Sequence, residues 1–257
     1  MARHIDAWMD GTRLSDLGAV FVREVDEPAP EMEIEYVNRL SRGGRGVSKR
    51  KRRSLQVTLH VAVHELFDLK KRADLRDAVA QWANGSVLEL SNHPDRRLNV
   101  ISLAEPALGD VRDFNTTLDV NLEANVIPYW ESKTETTVSG SGTSGSATLR
   151  IPGTAKEVPV DVTVDSGTGI SSLTVAVSCG GVTKSISLSG MSSVSGAITF
   201  SRDADDRLQI RSGTTDLLPY RTAASADDLV VPAGTATVSW TASASRGITF
   251  SARGRWL

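Results

Sequence analysis

The sequence predicts a mostly-β protein with two domains and a single helix, and three observations lead to this fold class. Apolar and polar residues alternate with a period of two through much of the chain, as in antiparallel strands that have one face on a core and the other in water. Only one segment has the period of an amphipathic helix. Beyond residue 130 the composition changes to short Ser-, Thr-, Gly- and Val-rich runs separated by turn residues.

The first domain is assigned to residues 1–131. Residues 31–37, 54–66 and 114–126 show the clearest alternation, and each is predicted to form a half-buried strand. In the first of these segments, the apolar residues at even positions are expected to face the core. The alternation in all three segments favours antiparallel pairing over a parallel sheet.

The helix is predicted within residues 69–83, where apolar residues recur every three to four positions. Asp68 precedes it and is a suitable N-cap, because its carboxylate can accept hydrogen bonds from the first free backbone amides. Asn84 and Gly85 follow the segment, and a left-handed conformation at this pair is expected to end the helix.

The second domain is assigned to residues 132–257. Residues 139–146, "SGSGTSGS", are predicted to be a flexible polar stretch. Many short alternating runs come after it, with Gly- or Asp-rich turns between them and no helical period. This spacing is typical of a β-sandwich.

Composition indicates a soluble globular protein, with 40% apolar and 23% charged residues and a net charge of −2. No apolar run approaches the ~20 residues that span a bilayer, so no membrane insertion is expected. Residues 1–11 are charged where a signal peptide would be apolar. The single cysteine, Cys179, precludes an intramolecular disulfide and is compatible with synthesis in a reducing cytosol.

Three motif-like matches are better explained without a cofactor, metal or catalytic site. Residues 140–145 have the glycines of a dinucleotide loop, but the segment after them is predicted as a strand, not a helix. His60 and His64 would lie ~13 Å apart on a strand, too far for one metal ion. The acidic residues 203–207 fit a β-turn better than a calcium loop. No enzymatic activity is predicted, although the many carboxylates leave a glycosidase-type pair open.

Several stretches together resemble the distal tail proteins of bacteriophages with long, non-contractile tails. The resemblance extends over essentially the whole chain and depends on the order and spacing of motifs that are individually weak. The stretches are "WMDGTRLSDLGAVFV", "LRDAVAQWANGSVLELSNHPDRRLNV", "LDVNLEANVIPYWES" and "PAGTATVSW…ITFSARGRWL".

This resemblance implies a structural role in the virion. It implies an N-terminal β-sandwich or split-barrel-like domain with one helix and a long hairpin that reaches a neighbouring subunit, followed by a galectin-like β-sandwich. Such proteins form a ring, usually a hexamer, at the tail tip or baseplate. The implied partners are the tail tube protein, a hub or tail-associated lysin-type protein and a receptor-binding protein. DNA passes through the ring, and assembly takes place in the host cytoplasm. Carbohydrate binding by the second domain is the alternative function.

A block of five consecutive basic residues is the feature that this resemblance leaves unexplained. The block, Lys49 to Arg53, comes after an acidic strand and is predicted to lie near the tip of a hairpin. Three interpretations of the block remain open. It is solvated and has no partner, or it contacts DNA phosphates, or it contacts the acidic strand of a neighbouring subunit. The candidate residues for the contact between subunits are Glu31, Glu33, Glu35, Arg45, Lys49, Arg50, Lys51, Arg52 and Arg53.

Overall fold

The computed structural model describes residues 5–29, 32–38, 45–64, 68–105 and 116–256. Within these ranges the chain is mostly β, with one α-helix, so the predicted fold class is confirmed. The chain divides into two compact units, residues 1–130 and 131–257. No helix in the described ranges has the length and apolar character required to cross a membrane.

The described residues of the first unit form the helix α1 (Leu69–Ala83), a short 3-10 helix (Leu14–Leu17) and nine strands. The strands are β1 (Ala7–Met9), β2 (Thr12–Arg13), β3 (Val20–Asp26), β4 (Met32–Asn38), β5 (Arg45–Arg52), β6 (Gln56–Val63), β7 (Val87–Leu90), β8 (Arg96–Ser102) and β9 (Thr116–Ala124).

Seven of these strands form a nearly closed antiparallel barrel. Their order is β3, β6, β9, β8, β7, β1 and β2. A bridge between Ile5, just before β1, and Val22 of β3 brings the two sides of this sheet together. Strands β4 and β5 pair only with each other, as a separate two-stranded hairpin between β3 and β6.

The core of the first unit agrees with the predicted alternation. The odd-numbered apolar residues of β6 and the even-numbered apolar residues of β9 are buried, including Val57, Leu59, Leu118 and Val120. The alternation ends with β9, because Val126 lies beyond it with a φ of 61° and is exposed.

The helix begins as predicted but ends differently. The Asp68 side chain accepts hydrogen bonds from the amides of Lys70 (2.9 Å) and Lys71 (3.2 Å), which confirms the N-cap. At the other end Asn84 has a φ of −79°, so the expected left-handed stop is wrong. Gly85 is required for a steric reason and not for its backbone conformation, because a Cβ there would lie 2.3 Å from the Met9 Cγ.

The second unit is made of strands and one short 3-10 helix (Leu218–Tyr220). The strands are β10 (Trp130–Ile151, which begins at the last residue of the first unit), β11 (Val158–Val164), β12 (Ile170–Cys179), β13 (Val182–Val194), β14 (Ile198–Arg202), β15 (Leu208–Ser212), β16 (Thr215–Asp216), β17 (Val230–Val231) and β18 (Gly234–Trp256).

The long strand β18 links the two layers of this unit. Residues 237–242 pair with β12, whereas residues 248–252 pair with β11. Trp240 and Phe250, one from each part of β18, have ring centroids 6.2 Å apart within the core. This arrangement is a β-sandwich, in which the inner faces of two sheets pack together.

The prediction of a flexible stretch at residues 139–146 is wrong, because the whole stretch lies within β10. The glycines leave room for an aromatic ring. A Cβ at Gly140 would lie 2.2 Å from Trp240 Cη2, and one at Gly145 would lie 2.4 Å from Trp240 Cζ2. Glycine is therefore required here by a close approach between a strand and a distant indole.

Candidate subunit-contact surfaces

The residues predicted to contact a neighbouring subunit lie on the hairpin of β4 and β5, which we call the arm. Glu33 and Glu35 are on β4. Arg45 and residues 49–52 are on β5, and Arg53 comes directly after it and is exposed. Glu31 lies outside the described residues.

The basic block is on a strand and not near the hairpin tip, so its expected location is wrong. The paired residues of β4 and β5 run from Asn38 with Arg45 to Met32 with Arg52, so Lys49 to Arg52 belong to the paired part of β5, at the end away from Asn38 and Arg45. The prediction assumed that the second strand of the hairpin begins at Ser54. A run of five charged residues does not alternate between apolar and polar positions, so the sequence pattern does not indicate that β5 is a strand.

In the register of the arm, acidic and apolar residues of β4 lie opposite basic residues of β5. Each of the two glutamates on β4 is opposite a lysine position, and two apolar positions are opposite arginine positions. These pairs are Glu33 with Lys51, Glu35 with Lys49, Met32 with Arg52 and Ile34 with Arg50. The acidic and basic strands thus meet within one chain, while the predicted contact between chains stays a prediction.

Three apolar side chains of β4 are exposed in the described part of the chain. Met32 is 49% exposed, Ile34 is 37% exposed and Tyr36 is 56% exposed. We expected these side chains to face a core, because their alternation matches that of the buried strands. The alternation correctly predicts the strand, but these residues have no core to face in the isolated chain.

A second polar surface is formed by the outward positions of β3, β6, β9 and β8, which we call the barrel face. Its centre is His60, whose Nδ1 lies 2.6 Å from Asp119 Oδ1 and whose Nε2 lies 3.1 Å from Asp26 Oδ2. Thr58 Oγ1 donates a hydrogen bond of 2.9 Å to Asn121 Oδ1 on the neighbouring strand. The strands β3, β6 and β9 are thus joined by side chains as well as by backbone hydrogen bonds.

The hydrogen bond to Asp26 and then that to Asp119 raise the pKa of His60 above its ordinary value of 6.5. His60 is not arranged to share a metal ion with His64, because His64 stacks on Phe21 with ring centroids 5.5 Å apart. The described residues contain no group of three metal-ligating side chains close enough to hold a metal ion.

The barrel face is acidic across β3 and β9, and its β8 side combines the polar residues Arg97 and Asn99 with exposed apolar residues. Glu24 is opposite His60, and Glu123 is opposite Ile101 in the strand register. Ile101 is 46% exposed, and Leu103, just beyond β8, is 47% exposed. The alternation in residues 114–126 signals these outward polar positions, but only the strand register brings them beside the apolar pair.

The base of the arm is held by a separate contact on the first unit. Glu27 comes directly after β3, and its Oε2 lies 3.3 Å from His93 Nε2, while Asn92 Nδ2 donates a hydrogen bond of 3.4 Å to Glu27 Oε1. The His93 ring in turn packs against Trp130, with centroids 5.2 Å apart. The chain that leads into the arm is therefore anchored to the turn between β7 and β8.

In the second unit, the main polar cluster is buried and joins distant strands. Arg255 of β18 donates to Glu131 Oε1 (3.2 Å) and, in a bidentate pair, to both carboxylate oxygens of Asp206 (3.0 and 3.1 Å). Arg255 and Glu131 are both buried. Sequence reasoning correctly predicted the turn at residues 203–207, but it did not detect that Asp206 binds Arg255.

The aromatic rings of the second unit mostly serve its core. Phe200, Trp240 and Phe250 are buried, and Tyr220 and Trp256 are half-buried. Sugar-binding grooves commonly present an exposed aromatic face to the sugar ring. The three buried rings are not available for such stacking.

The fold is similar to that of a solved phage protein. It matches the Dit protein of phage SPP1, a paradigm of the hub adsorption apparatus in phages that infect Gram-positive bacteria, with a TM-score of 0.72 and 14% identity over 98% of this chain and 99% of the SPP1 protein. The fold thus agrees with the resemblance to distal tail proteins.

Two structures of the phage P2 baseplate in its activated conformation match more weakly. The structure with Ca has a TM-score of 0.46 and 11% identity over 99% of this chain and 98% of that chain. The structure with Sr has a TM-score of 0.45 and 10% identity over 98% of both chains. These scores are too low to establish a shared fold, so the functional proposal is based on the SPP1 protein alone. No family model and no curated protein matches the sequence.

Proposed function

We propose that the chain is a structural protein of a phage tail tip, where it forms a six-fold ring between the tail tube and the receptor-binding apparatus. The principal support is the agreement of fold with the SPP1 hub protein over nearly the full length of both chains. The uncovered apolar positions on the arm give independent support, because such positions on a paired strand indicate contact with another chain.

In this proposal the two domains have different structural roles. Residues 1–131 build the ring and enclose a channel through which DNA passes. Residues 132–257 form a galectin-like sandwich at the periphery and hold the hub or lysin-type protein and the receptor-binding protein. The ring belongs to the virion and is assembled in the host cytoplasm.

The strand register refines the role of the candidate contact residues. Residues directly opposite in an antiparallel ladder share one face of the ribbon. Glu33 and Glu35 therefore lie on the same face of the ribbon as the positions of Lys51 and Lys49. We propose that the other face, with its apolar and arginine positions, contacts the neighbouring subunit.

A structural role is also favoured over the two alternative functions. A carbohydrate-binding module would need exposed aromatic surface, whereas Phe200, Trp240 and Phe250 are buried. A tail-associated hydrolase would need a pair of carboxylates held at a cleft. One cleft of the second unit is lined by the carboxylates of Asp206, Asp227 and Asp228. Each of them is held by an arginine in an ion pair, which is a structural arrangement; the arginines are, in the same order, Arg255, Arg221 and Arg202.

Mass photometry of the purified chain tests the proposal. We expect a discrete species of six 27.5 kDa chains, about 165 kDa, because a ring built from one repeated contact closes at a fixed number of subunits. Zymography on host cell walls serves as the control for the hydrolase alternative and should show no clearing. Turnover by a monomeric chain would contradict the proposal.

A further inference from the structure

The chain leaves the barrel for the arm at two consecutive carboxylates, and each of them is held by a histidine. Asp26 is the last residue of β3, and its Oδ2 lies 3.1 Å from His60 Nε2 on β6. Glu27 follows it, and its Oε2 lies 3.3 Å from His93 Nε2 in the turn between β7 and β8. We call Asp26 and Glu27 the root of the arm. Two imidazole rings from different elements of the first unit thus hold the root.

The two histidines differ in the number of N–H groups that their contacts need. A neutral imidazole with its proton on Nε2 is sufficient for the single contact of His93. His60 uses both ring nitrogens, because its Nδ1 also lies 2.6 Å from Asp119 Oδ1 on β9. A neutral imidazole has one N–H group, so it can donate to Asp26 or to Asp119 but not to both. Both contacts together therefore require the protonated ring.

The groups around His60 favour this protonated form. The hydrogen bond to Asp26 and then that to Asp119 raise the pKa of His60 above 6.5, and partial burial acts against them. Glu24 lies opposite His60 on β3, and Arg23 is exposed at the bulge beside it. The neighbouring outward positions of β6 and β9 carry residues that do not titrate, namely Thr58, Ala62, Thr117 and Asn121.

We propose that His60 is a proton-operated clamp, which holds the root of the arm on the barrel and releases Asp26 when the ring loses its proton. Asp26 is the contact that opens, because it is the longer of the two and its residue ends a strand, whereas Asp119 lies within β9. The contact between Glu27 and His93 remains, so the root loosens without detaching. The clamp is independent of the proposed ring, since all its contacts lie within one chain.

The direction of the pH effect follows from the raised pKa of His60. The unfolded chain binds this proton with the ordinary pKa of 6.5, and the folded chain binds it more tightly. The clamp therefore contributes fully below pH 6.5 and is lost as the pH rises through the higher pKa of the folded chain. The side chains of Asp26 and Asp119 are more than half exposed, so solvent screening keeps the effect small.

Hydrogen exchange of the full-length chain, followed by mass spectrometry, tests the clamp. The measured quantity is the protection of a peptide that covers residues 20–27, corrected for the intrinsic effect of pH on exchange. We expect this protection to fall by about threefold between pH 5.5 and pH 8.5, a size typical of an exposed charged pair. Residues 116–124 should change less, because β9 keeps its contact with the neutral ring.

His60→Gln is the main test variant, because its amide does not titrate and the pH-dependent fall should disappear. Asp26→Asn should abolish the fall as well, since an amide can donate to the neutral ring or accept from it. The matched control is His64→Gln, which removes a histidine directly after β6 whose ring stacks on Phe21. This control should keep the fall. Circular dichroism of each variant confirms that it is folded.

Three results would overturn the clamp: protection of residues 20–27 that does not change with pH in the wild-type chain, a fall that persists in His60→Gln, or a fall that disappears in His64→Gln. An NMR titration of the His60 ring in the wild-type chain tests the same point without any variant. Its midpoint should lie above pH 6.5 and coincide with the midpoint of the change in protection. A midpoint at or below 6.5 would contradict the clamp. The ring proposal stands or falls separately, because none of these measurements depends on ring formation.

Discussion

Arg246 of β18 is a buried cation whose hydrogen bonds run to backbone carbonyls. Its guanidinium donates six of them, at 2.5 to 3.2 Å, to two connecting segments of the sandwich. The acceptors are the carbonyls of Asp165, Gly167, Thr168, Val194 and Gly196. A planar group with five N–H donors is well suited to hold several carbonyls at once.

Replacing this residue is expected to destabilise the second unit. Arg246→Ala leaves several carbonyls without a donor and should lower the free energy of unfolding by about 3 kcal/mol. Arg246→Lys should recover part of the loss, because an ammonium group has fewer donors. Urea unfolding followed by circular dichroism measures both. Arg211→Ala, at an exposed position on β15, is the control and should change little; an equal loss there would contradict this role.

Asp161 is a residue whose ionisation opposes folding. Although 40% of its side chain is exposed, its Oδ1 is buried, 3.6 Å from Arg202 Nε, and makes no hydrogen bond within the described part of the chain. Burial raises the pKa of Asp161 to about 6, against the lowering effect of Arg202. The folded chain therefore holds a proton between pH 4 and 6 that the unfolded chain has released.

This raised pKa gives a pH-dependent prediction. The contribution of Asp161 to stability should fall as the pH rises through about 6, because the charged form is disfavoured only in the folded state. Asp161→Asn should raise the free energy of unfolding by about 1 kcal/mol at pH 7.5, after allowance for solvent screening, and by less at pH 5. Urea unfolding at the two pH values measures this, and an Asn variant that is less stable at pH 7.5 would contradict it.

Strand β10 shows that a glycine-rich sequence can correspond either to a flexible linker or to a closely packed strand. A Ser- and Gly-rich run commonly indicates a flexible linker, since it has few side chains to pack. In β10 the absence of a Cβ at Gly140 and Gly145 provides the space that the Trp240 indole occupies. Composition alone does not distinguish these cases, because the ring comes from a distant strand.

The packing of this indole on β10 predicts a specific double-mutant result. Gly140→Ala should destabilise the chain by about 2 kcal/mol through overpacking. The loss should be much smaller when Trp240→Phe is also present, because the clash is with Cη2 and Cζ2, atoms of the six-membered indole ring that phenylalanine lacks. Thermal unfolding of the four chains measures the coupling, and Ser141→Ala at the adjacent exposed position is the control. Equal losses in the two backgrounds would contradict the packing.

The arm and helix α1 show what local sequence determines. The N-cap at Asp68 depends on residues that lie next to each other, and it was predicted correctly. The strand β5 was not, because its basic residues carry no alternation and its pairing depends on a register across the hairpin. The barrel face depends on more distant pairing still, because Glu123 lies opposite Ile101 only through the pairing of β8 with β9.

For the whole molecule, the alternation of apolar and polar residues was sufficient to predict the mostly-β fold class. The buried cluster of Arg255, Glu131 and Asp206 could not be predicted, because it joins three distant segments. Alternation also did not reveal that β4 would be uncovered in a single chain. The sequence pattern of a strand is the same whether its apolar side chains are buried or exposed.

Cryo-electron microscopy of the tail end of virions that contain this chain tests the tail-tip role most directly. We predict a six-fold collar of this fold, built of 27.5 kDa subunits, between the tail tube and the receptor-binding apparatus. A collar position occupied by a different protein, or this chain found at the capsid, the neck or outside the virion, would contradict it.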